Sequence, residues 1–173
     1  MKSKLAPFLD TQQILNSHSP QLDPMAIIDI GSNSIRLVIY VSRGRYPFPL
    51  FNERANCRLG EGVNNDGILR EERIEVALAT LARFAKILSN MGISKVHAVA
   101  TAAVRRAKNA EQFTRPAAAL LNHEISVLSQ KEEAYNVARG LTLNLPRASG
   151  LVADLGGGSI EIIKLLDGRI TRS

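Results

Sequence analysis

The sequence predicts an α/β fold in which a mixed β-sheet is flanked by helices, and three observations carry that expectation. Short runs rich in β-branched residues alternate with longer segments whose apolar residues recur at helical spacing. A strand-turn-strand pattern occurs twice, near the start and again at the end of the chain. Hairpins demand antiparallel pairing while strand-helix alternation favours parallel pairing, so the two together give a sheet of mixed direction.

Taken in order, Ala26–Ile30 and Ile35–Val41 are strands joined by a Gly-Ser-Asn-Ser turn, a hairpin signature, and Phe48–Arg58 adds a third strand. The stretch "RLGEGVNNDGILREE" gathers glycines and asparagines into a loop that leads into a helix. From Glu71 to Met91, the residues Ile74, Leu78, Leu81, Ala85, Leu88 and Met91 recur three or four apart, as one buried helix face requires, and Gly92 ends the run. "KVHAVA" is a compact strand, "TAAVRRA" and Ala110–Asn122 are helical, and "EISVLS" is a strand again. "KEEAYNVARGLTL" reads as a helix opened by a capping box, with Ser129 three residues before Glu132. Gly150–Asp154 and Ile160–Leu166 form the closing hairpin.

At 173 residues and 45% hydrophobic, the chain is long enough for one sizeable core. Residues 1–24 lack the continuous apolar segment of a signal peptide and read as a loose leader, leaving residues 25–173 as the folded unit. The single cysteine, Cys57, excludes an intramolecular disulfide, and no Cys/His cluster has zinc-site spacing, which fits a cytoplasmic location. No apolar run is long enough for a membrane helix. A net charge of +6 favours a phosphate-bearing partner, while 5% aromatics and no Trp leave few stacking platforms, so specific nucleic-acid binding is not expected.

The two hairpins resemble each other. Aligning "IDIGSNSIRLVI" with "ADLGGGSIEIIK" matches Asp29 to Asp154, Gly31 to Gly156, Ser34 to Ser159 and Ile35 to Ile160. Either turn alone is as readily an ordinary tight hairpin. The repetition favours chemistry: both turns present backbone N–H groups and hydroxyls to an oxyanion, with an aspartate in reach of a hydrated divalent cation. A strand, not a helix, follows each turn, which separates both from the dinucleotide fingerprint and the P-loop.

"AIIDIGSNSIRLVIY", "RLGEGV", "VATAAVRRAKN", "ISVLSQKEEA" and "VADLGGGSIEI" occur in the order found in the exopolyphosphatase and guanosine pentaphosphate phosphohydrolase family, which the chain resembles from Ala26 to its end. The resemblance implies a ribonuclease-H-like lobe of the actin, sugar-kinase and heat-shock-chaperone ATPase superfamily. It implies hydrolysis of terminal phosphoanhydride bonds in polyphosphate or guanosine pentaphosphate, with Mg2+ as cofactor and a homodimer for the full-length protein. Asp29 and Asp154 would position the metal. Gly31, Ser32, Asn33 and Ser34 would form the first phosphate loop, and Gly156, Gly157, Gly158 and Ser159 the second. Arg105 matches an arginine that faces the phosphates, and Glu133 matches the glutamate that activates water, with Glu132 as its neighbouring rival.

The sequence departs from the family pattern where Ser129-Gln130-Lys131 precedes the glutamates in place of Ser-Gly, and where Ile160 stands in place of threonine. The family site lies between two lobes, so residues 25–173 are expected to be the first of them, with the second missing. Two alternatives stay open on the sequence: a nucleotide-dependent kinase or ATPase of the same superfamily, and a non-catalytic lobe that binds polyphosphate or an alarmone nucleotide.

Overall fold

A computed structural model of the chain describes residues 24–43 and 46–172. The leader expected over residues 1–24 lies outside these, apart from Pro24. Five strands form the larger sheet: β1 (Met25–Ile30), β2 (Ser34–Arg43), β3 (Tyr46–Asn56), β4 (Lys95–Ala100) and β5 (Ile125–Val127), in the order β3-β2-β1-β4-β5. β1 pairs antiparallel with β2, and β2 with β3, while β1 with β4 and β4 with β5 are parallel. The mixed direction expected from the sequence is thus present, with the hairpin at one side and the strand-helix units at the other.

One face of this sheet packs under helices. Ala26, Ile28 and Ile30 of β1, with Ile35, Leu37 and Ile39 of β2, are fully buried against helix α2 (Glu71–Asn90) and helix α4 (Ala110–Leu121). The buried stripe of α2 runs through Ile74, Ala77, Leu81, Phe84 and Leu88, with Leu78 and Ala85 at its margin. Met91, expected on that stripe, is exposed because it is the C-cap, beyond the last turn that faces the sheet. Phe84 and Phe113 are wholly buried, each contributing about 1.5–3 kcal/mol by leaving water.

Three details differ from the sequence reading. The third strand begins and ends two residues earlier than expected. The glycine-rich loop holds a short helix, α1 (Val63–Asp66), bracketed by Gly62 and Gly67, both in the left-handed region. The last strands do not join the first sheet: β6 (Gly150–Leu155), β7 (Ile160–Leu166) and an unexpected β8 (Arg169–Arg172) form an antiparallel sheet of their own. Helix α5 (Gln130–Asn144) explains the division, since its Ala134 and Ala138 pack on Ile163 and Leu165 of β7 rather than on the larger sheet.

The capping box of α5 is formed as the spacing predicted. Glu132 N donates to Ser129 Oγ at 3.3 Å, and Ser129 N donates back to Glu132 Oε2 at 2.8 Å. Ser129→Ala is therefore expected to cost about 1 kcal/mol, read as a lower denaturation midpoint with an unchanged slope. No loss of stability would mean that packing alone fixes this helix end.

Candidate functional site

Period-two alternation places functional and core residues of the same strands on opposite faces. Ile28, Ile30, Ile35 and Leu37 go to the core, so Asp29 and Arg36 go to the other face, where they lie opposite each other in register. Arg54 on β3 continues the same rung, opposite Arg36. In the second sheet Asp154 and Glu161 are also register partners, but on the face that carries Ile163 and Leu165 of the smaller core.

The two turns share one geometry. Gly31 N donates to Ser34 O at 3.0 Å, and Gly156 N donates to Ser159 O at 2.9 Å. The loops also meet: a Cβ built on Gly157 would lie 2.6 Å from Asn33 Nδ2, and one on Gly158 would lie 2.6 Å from Ser32 Oγ. "RLGEGV" supplies the backing, because Gly60 N donates to Ser32 O at 2.8 Å while Cys57 N and Arg58 N both donate to Asn33 O. Gly60 sits so close to Ser32 that its own Cβ would come within 2.8 Å of the serine Cβ.

Together these elements enclose a cleft of about 430 Å³. Asp29, Asp154 and Glu133 line it, as do all eight residues of the two loops. Arg36, Arg54 and Thr101 line it too, and the sequence reading missed them. Arg36 was detectable, since it stands two residues after Ser34 on an alternating strand and so shares its face. Arg54 was not, because only the β2–β3 register aligns it with Arg36.

Arg105, on the short helix α3 (Ala102–Arg106), takes a different place from the one expected. It does not line the cleft; its Nη1 donates to Glu133 Oε2 and to Leu128 O, both at 2.7 Å. The side chains are 17% and 14% exposed, so this ion pair is largely sheltered from water. Nη2 of Arg105 is buried with no hydrogen-bond partner among the described residues. Arg105→Ala is accordingly expected to destabilise the fold by about 1–3 kcal/mol, the cost of leaving a sheltered charged acceptor unpaired. Denaturant unfolding with and without tripolyphosphate measures it, and an unchanged midpoint would show that Glu133 needs no partner.

Glu132 and Glu133 divide as consecutive helical residues must. The Glu132 carboxylate accepts from Ser129 Oγ and N, and those bonds hold its pKa below the ordinary value. Glu133 faces the cleft. Asp29 keeps one side open to the cleft while the surrounding strands and loops strip much of its hydration. That burial raises its pKa above the ordinary carboxylate range, against the lowering effect of Arg36, and the Asp154 charge pushes it further up.

The acidic groups fit a hydrated divalent cation. Mg2+ is usually held by one or two carboxylates together with water and substrate phosphates. Asp29 and Asp154 repel each other across the cleft, while Glu161, in register with Asp154, does not line it; its carboxylate is buried without a hydrogen-bond partner among the described residues. Among the described residues no group of three or more His, Cys, Asp or Glu side chains forms a cage for a metal by itself, so phosphate and water would complete the shell.

Two small-residue hairpin turns meeting beside a pair of aspartates, on a mixed sheet flanked by helices, define an α/β lobe of the ribonuclease-H-like, actin-like ATPase fold. The chain matches the Ppx/GppA phosphatase family over residues 27–172, and it belongs to that family. It is 36% identical over 155 residues to the guanosine-5'-triphosphate,3'-diphosphate pyrophosphatase of Pseudoalteromonas atlantica, covering 87% of this chain and 31% of that protein. It is 31% identical to a putative exopolyphosphatase of Haemophilus influenzae, covering 84% of this chain and 46% of that protein. The PPX-GPPA enzyme of Aquifex aeolicus superposes with a TM-score of 0.76 at 31% identity, covering 87% of this chain and 51% of that one. An exopolyphosphatase from Cytophaga hutchinsonii gives 0.80 at 30% identity, covering 86% and 48%. The chain thus spans less than half the length of the curated relatives it matches and about half that of the solved structures.

Proposed function

We propose that this chain forms the phosphate-binding lobe of an enzyme that hydrolyses terminal phosphoanhydride bonds of polyphosphate or guanosine pentaphosphate. The observation that carries this reading is the convergence of both loops, both aspartates and Glu133 on one cleft of about 430 Å³. Phosphoryl transfer needs little covalent chemistry from protein; it needs an in-line nucleophile and fixed charges around the phosphoryl group. The loop N–H groups and the hydroxyls of Ser32, Ser34 and Ser159 hold phosphate oxygens, and Arg36 and Arg54 add positive charge from the neighbouring rung.

Glu133 accepts the proton of the attacking water, and Arg105 orients its carboxylate. When bound by Asp29 and Asp154, Mg2+ would neutralise charge on the phosphates. Glu133, in the first turn of α5, lines the same cleft as the two loops. No helix of the described residues is long and apolar enough to cross a membrane, which is compatible with action in the cytoplasm.

The test is Mg2+-dependent orthophosphate release from polyphosphate, guanosine pentaphosphate and ATP. It should be run on residues 1–173 and on the same sequence joined to the remaining half of an enzymatic relative. Release from polyphosphate or guanosine pentaphosphate above that from ATP is expected, strongest in the joined form. ATP as the preferred substrate would favour the kinase or ATPase alternative, and binding without release in both forms would favour the non-catalytic one.

A further inference from the structure

We propose that a second cavity, behind the loop of Gly156, Gly157, Gly158 and Ser159, holds a guanine base joined to the phosphates in the cleft, so that a guanine nucleotide is preferred over inorganic polyphosphate. This rests on the phosphohydrolase reading above and chooses between the two substrates which that reading leaves open. The cavity, of about 500 Å³, is lined by Asn64, Arg106, Gln130, Leu155 and Ile160 together with the loop. Leu155 and the four loop residues also line the cleft, so the loop is a wall common to both spaces.

The two places where the sequence departs from the family pattern meet in this cavity. Gln130 opens α5 where the pattern has glycine after serine, and Ile160 opens β7 where it has threonine. The first change adds an amide, with both donors and an acceptor, and the second exchanges a hydroxyl for hydrocarbon. Neither adds charge, so neither serves a longer phosphate chain. An amide beside an apolar wall suits a planar heterocycle, whose faces leave water against hydrocarbon while its edge forms hydrogen bonds.

The side chains are placed for that division. Leu155 and Ile160 are register partners across β6 and β7, 81% and 58% exposed, and form one apolar surface turned to water. The Gln130 side chain makes no hydrogen bond among the described residues. Arg106, on α3, donates from Nη1 to Asn64 Oδ1 at 3.0 Å and forms no ion pair among the described residues, so the rest of its planar fork is available to a ligand. Guanine offers such a fork two acceptors on one edge, O6 and N7, where adenine has an amino donor in place of O6. The arginine therefore selects guanine.

The experiment is equilibrium titration of residues 1–173 with tripolyphosphate, GTP and ATP, each with Mg2+. GTP is expected to bind about tenfold tighter than tripolyphosphate, the gain from base contacts and edge hydrogen bonds, with ATP between them. Phosphate attraction alone gives the opposite order, because the esterified end of GTP carries less charge. Gln130→Gly combined with Ile160→Thr, which restores both family residues, should bring GTP to the affinity of tripolyphosphate and leave tripolyphosphate unchanged, while Arg106→Gln should equalise GTP and ATP. Equal wild-type affinities for GTP and tripolyphosphate, or a GTP preference that survives the double variant, overturn the base pocket and leave the phosphohydrolase reading intact. A double variant that loses both ligands equally also overturns it, since Gln130 and Ile160 would then only support the loop. ATP bound as tightly as GTP, or more tightly, overturns the assignment of guanine to Arg106. Failure of all three to bind, or binding indifferent to Gly158→Val, overturns the phosphohydrolase reading and the pocket with it.

Discussion

Glu133→Gln is expected to lower Mg2+-dependent phosphate release by about 10²–10⁴ while tripolyphosphate binding stays within a few-fold of wild type. The amide keeps the size of the carboxylate and offers a carbonyl oxygen to Arg105 Nη1, which now reaches Glu133 Oε2 at 2.7 Å. Orientation is therefore preserved and only proton acceptance is lost. Single-turnover phosphate release beside equilibrium binding separates the two quantities. Near-normal release would remove Glu133 as the base, and Glu132 would be a poor substitute, because its carboxylate is engaged by Ser129 at the helix cap.

The second large effect concerns the contact between the loops. Ser32 is buried between two glycines: a Cβ on Gly60 would lie 2.8 Å from its Cβ, and a Cβ on Gly158 would lie 2.6 Å from its Oγ and 3.5 Å from Ala102 Cβ. Ser32 Oγ can swing aside about χ1, but with Gly60 against Ser32 Cβ and Ala102 Cβ at 3.5 Å the two methyls of Gly158→Val are expected to crowd the contact between the hairpins. Destabilisation of about 1–3 kcal/mol is expected from overpacking. Tripolyphosphate binding should weaken about a hundredfold, as donors from the two loops cease to converge. A folded Gly158→Val protein with wild-type affinity would show that one loop suffices to hold the anion.

Most of the architecture was legible because it follows local rules. The hairpins were announced by β-branched runs around small turns, α2 by its apolar spacing, and α5 by Ser129 and Glu132. What escaped depended on long-range register and packing. Phe84 and Ala77, rather than Met91, carry the helix stripe because the sheet beneath fixes its rotation. The split into two sheets follows from which surface α5 covers, a choice no local pattern encodes. At the site, the aspartates and loops were visible as a repeat, whereas Arg54 acquires meaning only once β3 is set beside β2. Arg105 stood out within its motif, but its partner is 28 residues away on another helix.

The two sheets keep separate cores. The larger includes Phe84, Phe113 and the isoleucines of β1 and β2, while the smaller centres on Ala134, Ala138, Ile163 and Leu165. A unit with so little buried apolar surface opens more readily than the rest of the molecule. The hairpin of each sheet contributes one of the two loops that line the cleft, so an anion gripped by both would be a strut between a stiff body and a looser one. Its binding free energy then adds to the stability of the smaller unit, in proportion to the logarithm of ligand concentration once sites fill. On the proposed function, a bound phosphate chain would thereby act as part of the scaffold, and its concentration would set how exposed the smaller sheet is to unfolding and proteolysis.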